Sequence, residues 1–313
     1  MATTWQQVLV DGDDATPIAV GKTVVQTVGD TDTQTDPAVA GTILSFDNAL
    51  GIYVIETTSA AKWSAGTGHV NHIYDASAGG NWDGDISEVT DVQRQTIALV
   101  AEEEGYGQHA VTTDAIDTTG ATLIVIAVGD RAEVVIPVIT DSKSNVWQQL
   151  TEQKDAYARA ALFYCESPVV GSGHTFTATL AWGRNNIVVM AFSGAGKYEA
   201  ENGATDAAST GQPGAVSPLQ DGEVVVSGIC FVATGTASID GGFTAYNCPG
   251  VSVDGAGAYL IQTTKAAANP TWTWSAGNAA MVIACFAAAW EATAAPPAAG
   301  GTKPFLLHRR RRG

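Results

Sequence analysis

Basic residues are scarce in this 313-residue chain: 15 Lys and Arg stand against 32 Asp and Glu, a formal net charge of −17. Four of the fifteen sit together at Arg309, Arg310, Arg311 and Arg312, so the rest of the chain carries 11 − 32 = −21. So acidic a body repels a phosphate backbone, which argues against nucleic-acid binding by anything except the tail. Charged residues make up only 15% of the chain and hydrophobic ones 45%, with Gly, Thr, Val and Ala crowding the segments between turn signals. That balance is globular and leans toward strand. Long apolar runs are also missing: no window reaches the length of a membrane span, and Met1-Ala-Thr-Thr-Trp-Gln-Gln has neither a basic n-region nor an apolar h-region. The expectation is a chain made and kept soluble in a cytoplasm, with no membrane partner.

Cysteine is sparse. Cys165, Cys230, Cys248 and Cys285 show no C-x-x-C spacing, and three of them lie in or beside apolar runs. Buried free thiols are expected rather than a disulfide or metal framework. Short catalytic motifs are absent too: there is no Gly-x-Ser-x-Gly elbow, phosphate loop, dinucleotide fingerprint or His-Glu-x-x-His. No catalytic residue, cofactor or metal is therefore assigned. His69 and His72 are close in sequence, but a spacing of three puts them on opposite faces of a strand, so they read as surface or turn residues. Glu102-Glu103-Glu104 reads as a solvated loop tip. The acidic segments Asp11-Gly-Asp-Asp and Asp30-Thr-Asp-Thr-Gln-Thr-Asp could offer oxygen to calcium, yet neither follows the EF-hand pattern, and polar hairpin turns explain them.

What is present is a succession of short strand patterns. Val8 to Val10, Ile18 to Val20, Thr23 to Val28, Thr42 to Phe46 and Ile52 to Thr57 are each bounded by Gly, Asp or Asn, and Gly41 to Glu56 reads as a hairpin turning at Asp47 to Gly51. These define a small β domain over residues 1–85, expected to have exposed strand edges that docking or trimer formation would cover. Asp75 to Asp91, rich in Gly, Ser and Asp, reads as a linker, and Trp82 within it is the aromatic expected to be exposed and available to a partner. Residues 92–292 carry longer runs, among them Thr122 to Val128, Thr175 to Leu180, Ile187 to Phe192 and Ala280 to Ala289, and two sets of runs match in order. Gly120-Ala-Thr-Leu-Ile-Val answers Gly222-Glu-Val-Val-Val, Ala160-Ala-Leu answers Ala258-Tyr-Leu, His174-Thr-Phe-Thr answers Pro270-Thr-Trp-Thr, and Asn186 to Ser193 answers Ala280 to Ala287. The pattern predicts an all-β protein, with a jelly-roll-like antiparallel sandwich built from a degenerate two-fold repeat. Trp272 and Trp274 lie on one strand face and are expected in the core rather than as a sugar platform.

Residues 293–313 form an Ala/Pro/Gly linker and a basic tail. Phe305, Leu306 and Leu307 precede Arg309, Arg310, Arg311 and Arg312, an apolar anchor beside a cationic one, which suits a docking peptide for an acidic protein surface; a free tail and a DNA arm are the alternatives.

The stretch Gly41-Thr-Ile-Leu-Ser-Phe-Asp-Asn-Ala-Leu-Gly-Ile-Tyr-Val-Ile-Glu, continued by Lys62-Trp-Ser-Ala-Gly-Thr-Gly, resembles β-rich modules of tailed-bacteriophage head and tail structural proteins. Asp117-Thr-Thr-Gly-Ala to Phe192-Ser-Gly-Ala looks like sandwich domains of phage virion proteins. The resemblance implies a setting: a virion assembled in a host cytoplasm, other capsid or tail subunits as partners, a homo-oligomer with a trimer among the options, and no cofactor. It implies a structural, non-enzymatic role in which residues 1–85 dock to capsid or tail and the sandwich projects. A carbohydrate- or receptor-binding tail protein that recognises a host-surface glycan is the competing class, and a polysaccharide depolymerase the third.

Overall fold

The computed structural model describes residues 4–11, 18, 22–28, 39–47, 52–57, 63, 71–75, 81–131, 136–248, 250 and 254–292. The chain forms two units, Met1–Gln93 with Glu291–Gly313, and Arg94–Trp290. All regular structure among the described residues is β-strand, paired antiparallel, as the composition predicts.

In the first unit the strands are β1 (Thr4–Asp11), β2 (Thr23–Val28), β3 (Ala40–Asp47), β4 (Ile52–Thr57), β5 (Asn71–Asp75) and β6 (Asn81–Arg94). The expected hairpin is present as β3 paired with β4, with Asp47 opposite Ile52. The sheet runs β1-β4-β3-β2-β5-β6, and β6 pairs back onto β1, so the path returns to its start. Asp85 shows the closure directly, because it is paired with His72 on one side and Asp11 on the other. Val8, Val10, Val24, Ile43, Tyr53, Ile55, Ile73 and Ile86 form the apolar core of this unit. Gln6 is buried with them, donating to Asp91 at 3.0 Å and accepting from Thr57 at 3.2 Å and the backbone of Trp63 at 2.9 Å.

Two expectations are corrected here. Residues 81–94 were expected within or beside a Gly/Asp-rich joint and are instead a 14-residue strand. Its pairing with β1 skips Ser87, so that Ile86 meets Val10 and Val89 meets Val8; this bulge sets Ile86 and Val89, three apart in sequence, against inward neighbours and hides the period of two. The small domain was also expected to carry bare strand edges. Closure of the sheet pairs both edges of β1 instead.

The second unit contains β7 (Ala98–Thr112), β8 (Leu123–Asp130), β9 (Val138–Asp141), β10 (Gln148–Gln149), β11 (Gln153–Lys154), β12 (Arg159–Glu166) and β13 (Phe176–Ser193). It continues with β14 (Ala195–Asp206), β15 (Thr210–Gly211), β16 (Val224–Phe231), β17 (Ser238–Ile239), β18 (Thr244–Cys248), β19 (Asp254–Ile261), β20 (Trp272–Thr273) and β21 (Ala279–Ala288). The last strand, β22 (Trp290–Ala292), joins the sheet of the first unit. Thr175 to Leu180 and Ile187 to Phe192, expected as two strands, are halves of the single 18-residue β13.

One sheet has the order β10-β12-β8-β13-β7 and the other β14-β21-β16-β19-β18. A jelly roll interleaves its strands between sheets, whereas here each sheet is drawn from one continuous stretch. Within them, β12-β8-β13-β7 and β19-β16-β21-β14 follow one pattern: Leu123 stands between Glu166 and Phe192 as Val224 stands between Ile261 and Phe286. The isolated bridges Ile116 to His174 and Val216 to Ala268 continue it. The sheets face each other across Leu123, Val125, Leu162, Met190 and Phe192 from one and Val224, Val226, Val282, Ala284 and Phe286 from the other. The backbones approach closely at Gly129 and Gly255, where a Cβ would strike the Asn186 amide.

Each outer face is covered in turn. On the first sheet, Ile124, Ile126, Val128 and Val189 pack under Phe176 and Ala178, from the first half of β13 where it curls to pair with β9. On the second, Ile229, Phe231 and Met281 pack under Trp272 of the small sheet β15-β20-β17 and Trp274 just after β20. Trp272 is fully buried and donates its indole N–H to Ser227 Oγ at 2.9 Å, as expected of a core residue. Trp272→Ala should lower unfolding stability by about 3–5 kcal/mol, read as a fall in the urea midpoint without loss of strand signal in the native state.

Candidate functional site

The residues singled out in the sequence do not converge. Phe305, Leu306, Leu307, Arg309, Arg310, Arg311, Arg312, His69 and the segments 12–14 and 30–36 lie outside the described residues. Trp82 takes a strand position opposite Tyr74, and His72 one opposite Asp85. Glu102, Glu103 and Glu104, expected at a loop tip, are in the middle of β7 opposite Met190, Val189 and Val188, a correction that the central strand β13 makes necessary by pairing along their whole length. All four cysteines are buried and free.

Three polar clusters come together instead, each from residues far apart in sequence. In the first, His174 lies between Asp141 at the end of β9 and Thr118. Its Nε2 is 3.0 Å from Asp141 Oδ1 and its Nδ1 is 2.9 Å from Thr118 Oγ1. The ionised carboxylate only accepts, so Nε2 carries the proton and Nδ1 accepts from the hydroxyl. Hydroxyl, imidazole and carboxylate in line are the parts of a nucleophilic triad. Yet Thr118 and both other side chains are fully buried, and Asp141 also accepts from the backbone of Lys143 at 2.7 Å, the backbone of Asn145 at 3.1 Å and the Trp147 indole at 2.8 Å. The imidazole stacks on Phe176 with ring centroids 4.2 Å apart. A hydroxyl without access to substrate does no acyl transfer; this network ties two loops to the start of β13.

The second cluster is an ion pair at the ends of β8 and β12. Arg159 donates from Nε to Asp130 at 2.9 Å, from Nη2 to Asp130 at 3.0 Å and from Nη1 to Glu152 at 3.3 Å. Burial pushes the Asp130 carboxyl up to about 6 against the pull of Arg159. Burial also works against the Arg159 charge, but Asp130 and Glu152 more than offset it, so the pair is ionised at neutral pH.

The third cluster is Glu199, Glu223 and Cys285. The pairing of β14 with β21 steps from Tyr198 opposite Phe286 to Ala200 opposite Cys285, leaving Glu199 as the extra residue of a bulge. Glu223, fully buried, stands one residue before β16 and accepts the Gln220 backbone N–H at 2.7 Å. One carboxylate oxygen from each glutamate and the Cys285 sulfur lie within 4.8 Å of one another. Burial, and then the facing Glu199 carboxyl, push Glu223 up to about 9. Burial raises the Cys285 thiol to about 12. Among the described residues this is the group whose donors could hold a metal ion. No protein-family model matches the chain, and no curated protein matches it either.

None of the three is legible in the sequence, because partners such as Arg159 and Asp130, His174 and Thr118, and Glu199 and Cys285 stand 29, 56 and 86 residues apart and are brought together only by the fold. The bare signals were single polar residues inside or beside apolar runs: His174, Arg159 and Glu223. His174→Ala should cost roughly 2–4 kcal/mol, since Asp141 and Thr118 are left facing a void. Burial holds the folded imidazole below its ordinary value of 6.5, against the upward pull of Asp141. The unfolded chain then takes up the proton first, so stability falls as the pH drops below about 6.5. A His174→Asn variant should show a shallower loss over the same range in urea melts.

Proposed function

We propose that this chain is a structural protein of a tailed-phage particle, docked to the capsid or tail through its first unit and presenting the sandwich outward. The observation that carries this reading is the insertion of one unit into the other. The chain leaves the first unit after Gln93 and returns to it at Glu291, so both chain connections of the sandwich run to the same unit. Its two ends are fastened together, with the Gln95 N–H donating to the Ala289 carbonyl at 2.8 Å and the Ala289 N–H to the Gly194 carbonyl at 2.7 Å. A body added through paired connections can be carried by a lattice subunit without cutting its sheet. The degenerate two-fold repeat belongs to the same proposal, supported by the shared strand order and register of the two sheets. A polar network sealed from solvent, as at His174, also suits a role in which rigidity rather than turnover is needed.

A second reading, a receptor-binding protein of the tail, is favoured by one feature. Val146 and Val169 are 82% and 59% exposed at neighbouring loops, which Asn145 clamps by donating to the Val169 carbonyl at 3.1 Å and accepting its N–H at 2.6 Å. Exposed apolar side chains on a rigid loop pair are suited to contact with a protein surface. The aromatic platform a glycan would need is not formed by Trp272 and Trp274, which are core.

Quantitative mass spectrometry of purified particles tests the proposal. Copies in fixed ratio to the major capsid protein place it on the head, a few copies per particle place it on the tail, and absence from the particle overturns the reading. Truncation after Gly301 should weaken subunit association in a salt-dependent way while both units stay folded, because the lost segment carries Phe305 to Leu307 and the arginine run. Sedimentation velocity at two ionic strengths measures it, and unchanged assembly removes the tail from the docking surface.

A further inference from the structure

The Glu199, Glu223 and Cys285 cluster differs from the other two in what its members receive. Asp141 is surrounded by donors and Asp130 is paired with a guanidinium. Glu223 has one oxygen on the Gln220 N–H, while its Oε2 is buried and has no hydrogen-bond partner. Glu199 Oε2 accepts the Leu219 N–H at 3.2 Å. A buried carboxylate oxygen without a donor is costly, and it lies in the same small space as a second carboxylate and a thiol. A proton shared between the two carboxyls answers part of this. A cation answers all of it, because each of the three donors is a ligand type and the sulfur is placed with them.

We propose that Glu199, Glu223 and Cys285 form a binding site for a zinc-class divalent cation, with the fourth coordination position open on the half-exposed Glu199 side. The sulfur decides the class, since magnesium and calcium take oxygen donors, whereas a thiolate with carboxylates suits zinc. A Zn–S distance of about 2.3 Å and Zn–O of about 2.1 Å require the three donors to close by on the order of 1 Å. On binding, the thiol proton leaves to solvent and the ion clamps the bulge of β14 to β21 and to the turn before β16. The site stands independently of the virion reading.

Chelator-treated full-length protein titrated with Co²⁺ tests it. The expected result is a single equivalent bound, with a thiolate-to-cobalt charge-transfer band and the intense visible absorption of a tetrahedral ion, both erased by zinc. Zinc at about a hundredfold over its Kd should raise the Tm by roughly 5–10 °C. Cys285→Ser should abolish the charge-transfer band, and Glu223→Gln should weaken cobalt binding about tenfold or more. A wild-type chain without the band overturns the proposal. So does a band that survives Cys285→Ser, which would belong to another thiol. Should Cys285→Ser fail to fold, Glu199→Gln at its half-exposed position carries the test, and unchanged cobalt affinity there overturns the site.

Discussion

Strands β8, β16 and β21 are buried along their whole length on both faces, and this constrains the rest of the second unit. A strand that is apolar on alternate faces can leave one side to water; one that reads Leu-Ile-Val-Ile-Ala-Val cannot. Two such sheets cover each other once, through the layer of Val125, Val226, Met190 and Phe286. That leaves two outer faces still apolar. Each fully buried Ile, Leu or Phe contributes about 1.5–3 kcal/mol relative to exposure, so leaving either face open would forfeit most of the stability of a domain. The first sheet covers itself by curling the early half of β13 back over its centre, bringing Phe176 onto Ile124 and Ile126. The second uses Trp272 on a separate short strand and Trp274 just after it. Four layers follow from the apolarity of three strands.

The edges obey a different constraint. Outer strands β7 and β14 mix half-buried with exposed positions and carry Glu102, Glu104, Glu199 and Glu201. Charge on an edge discourages further strand pairing. In the first unit the edge is removed instead, by closing β6 onto β1, and the buried Gln6 then ties β1 to β4, β6 and residue 63 through hydrogen bonds. Among the described residues the two units thus manage their edges by different means, one by closure and one by charge.

The same distinction explains what the sequence reveals. The doubly buried strands are unbroken apolar runs, and their spans are legible to within a few residues: Thr122 to Val128 against Leu123–Asp130, and Ala280 to Ala289 against Ala279–Ala288. Edge strands mix polar and small residues, so most of β7, all of β14 and all of β6 escape a search for periodicity. Bulges remove what period there is, at Ser87 in β6 and at Glu199 in β14. Register is also lost. Aligning the turn glycines Gly120 and Gly222 pairs Leu123 with Val225, but Leu123 and Val224 are the residues that share the inner core, while Val225 faces outward beside Ile283. The connection from Ile116 to Leu123 is one residue shorter than that from Val216 to Val224, and one residue in a turn reverses every face that follows. The tail motif and the acidic segments 12–14 and 30–36 lie outside the described residues, and no site was legible because the fold draws the members of each polar cluster together from strands and from the turns beside them.

Those clusters show how an acidic chain tolerates carboxylates in its interior. A buried carboxylate requires donors, a cation or a proton, and the choice is set by backbone geometry around it. Asp141 ends a strand where the chain turns, so the free N–H groups of Lys143 and Asn145 point back at it and His174 completes the shell. Asp130 ends β8 directly opposite Arg159 in the register, so its cation arrives by sheet pairing. Glu223 precedes its strand and meets a turn that supplies the Gln220 N–H to one oxygen only, while the bulge at Glu199 brings a second carboxylate toward the other. A bulge that concentrates like charge costs stability unless something is gained by it, and the thiol at the same point is what makes a shared cation, rather than a shared proton alone, the more complete resolution.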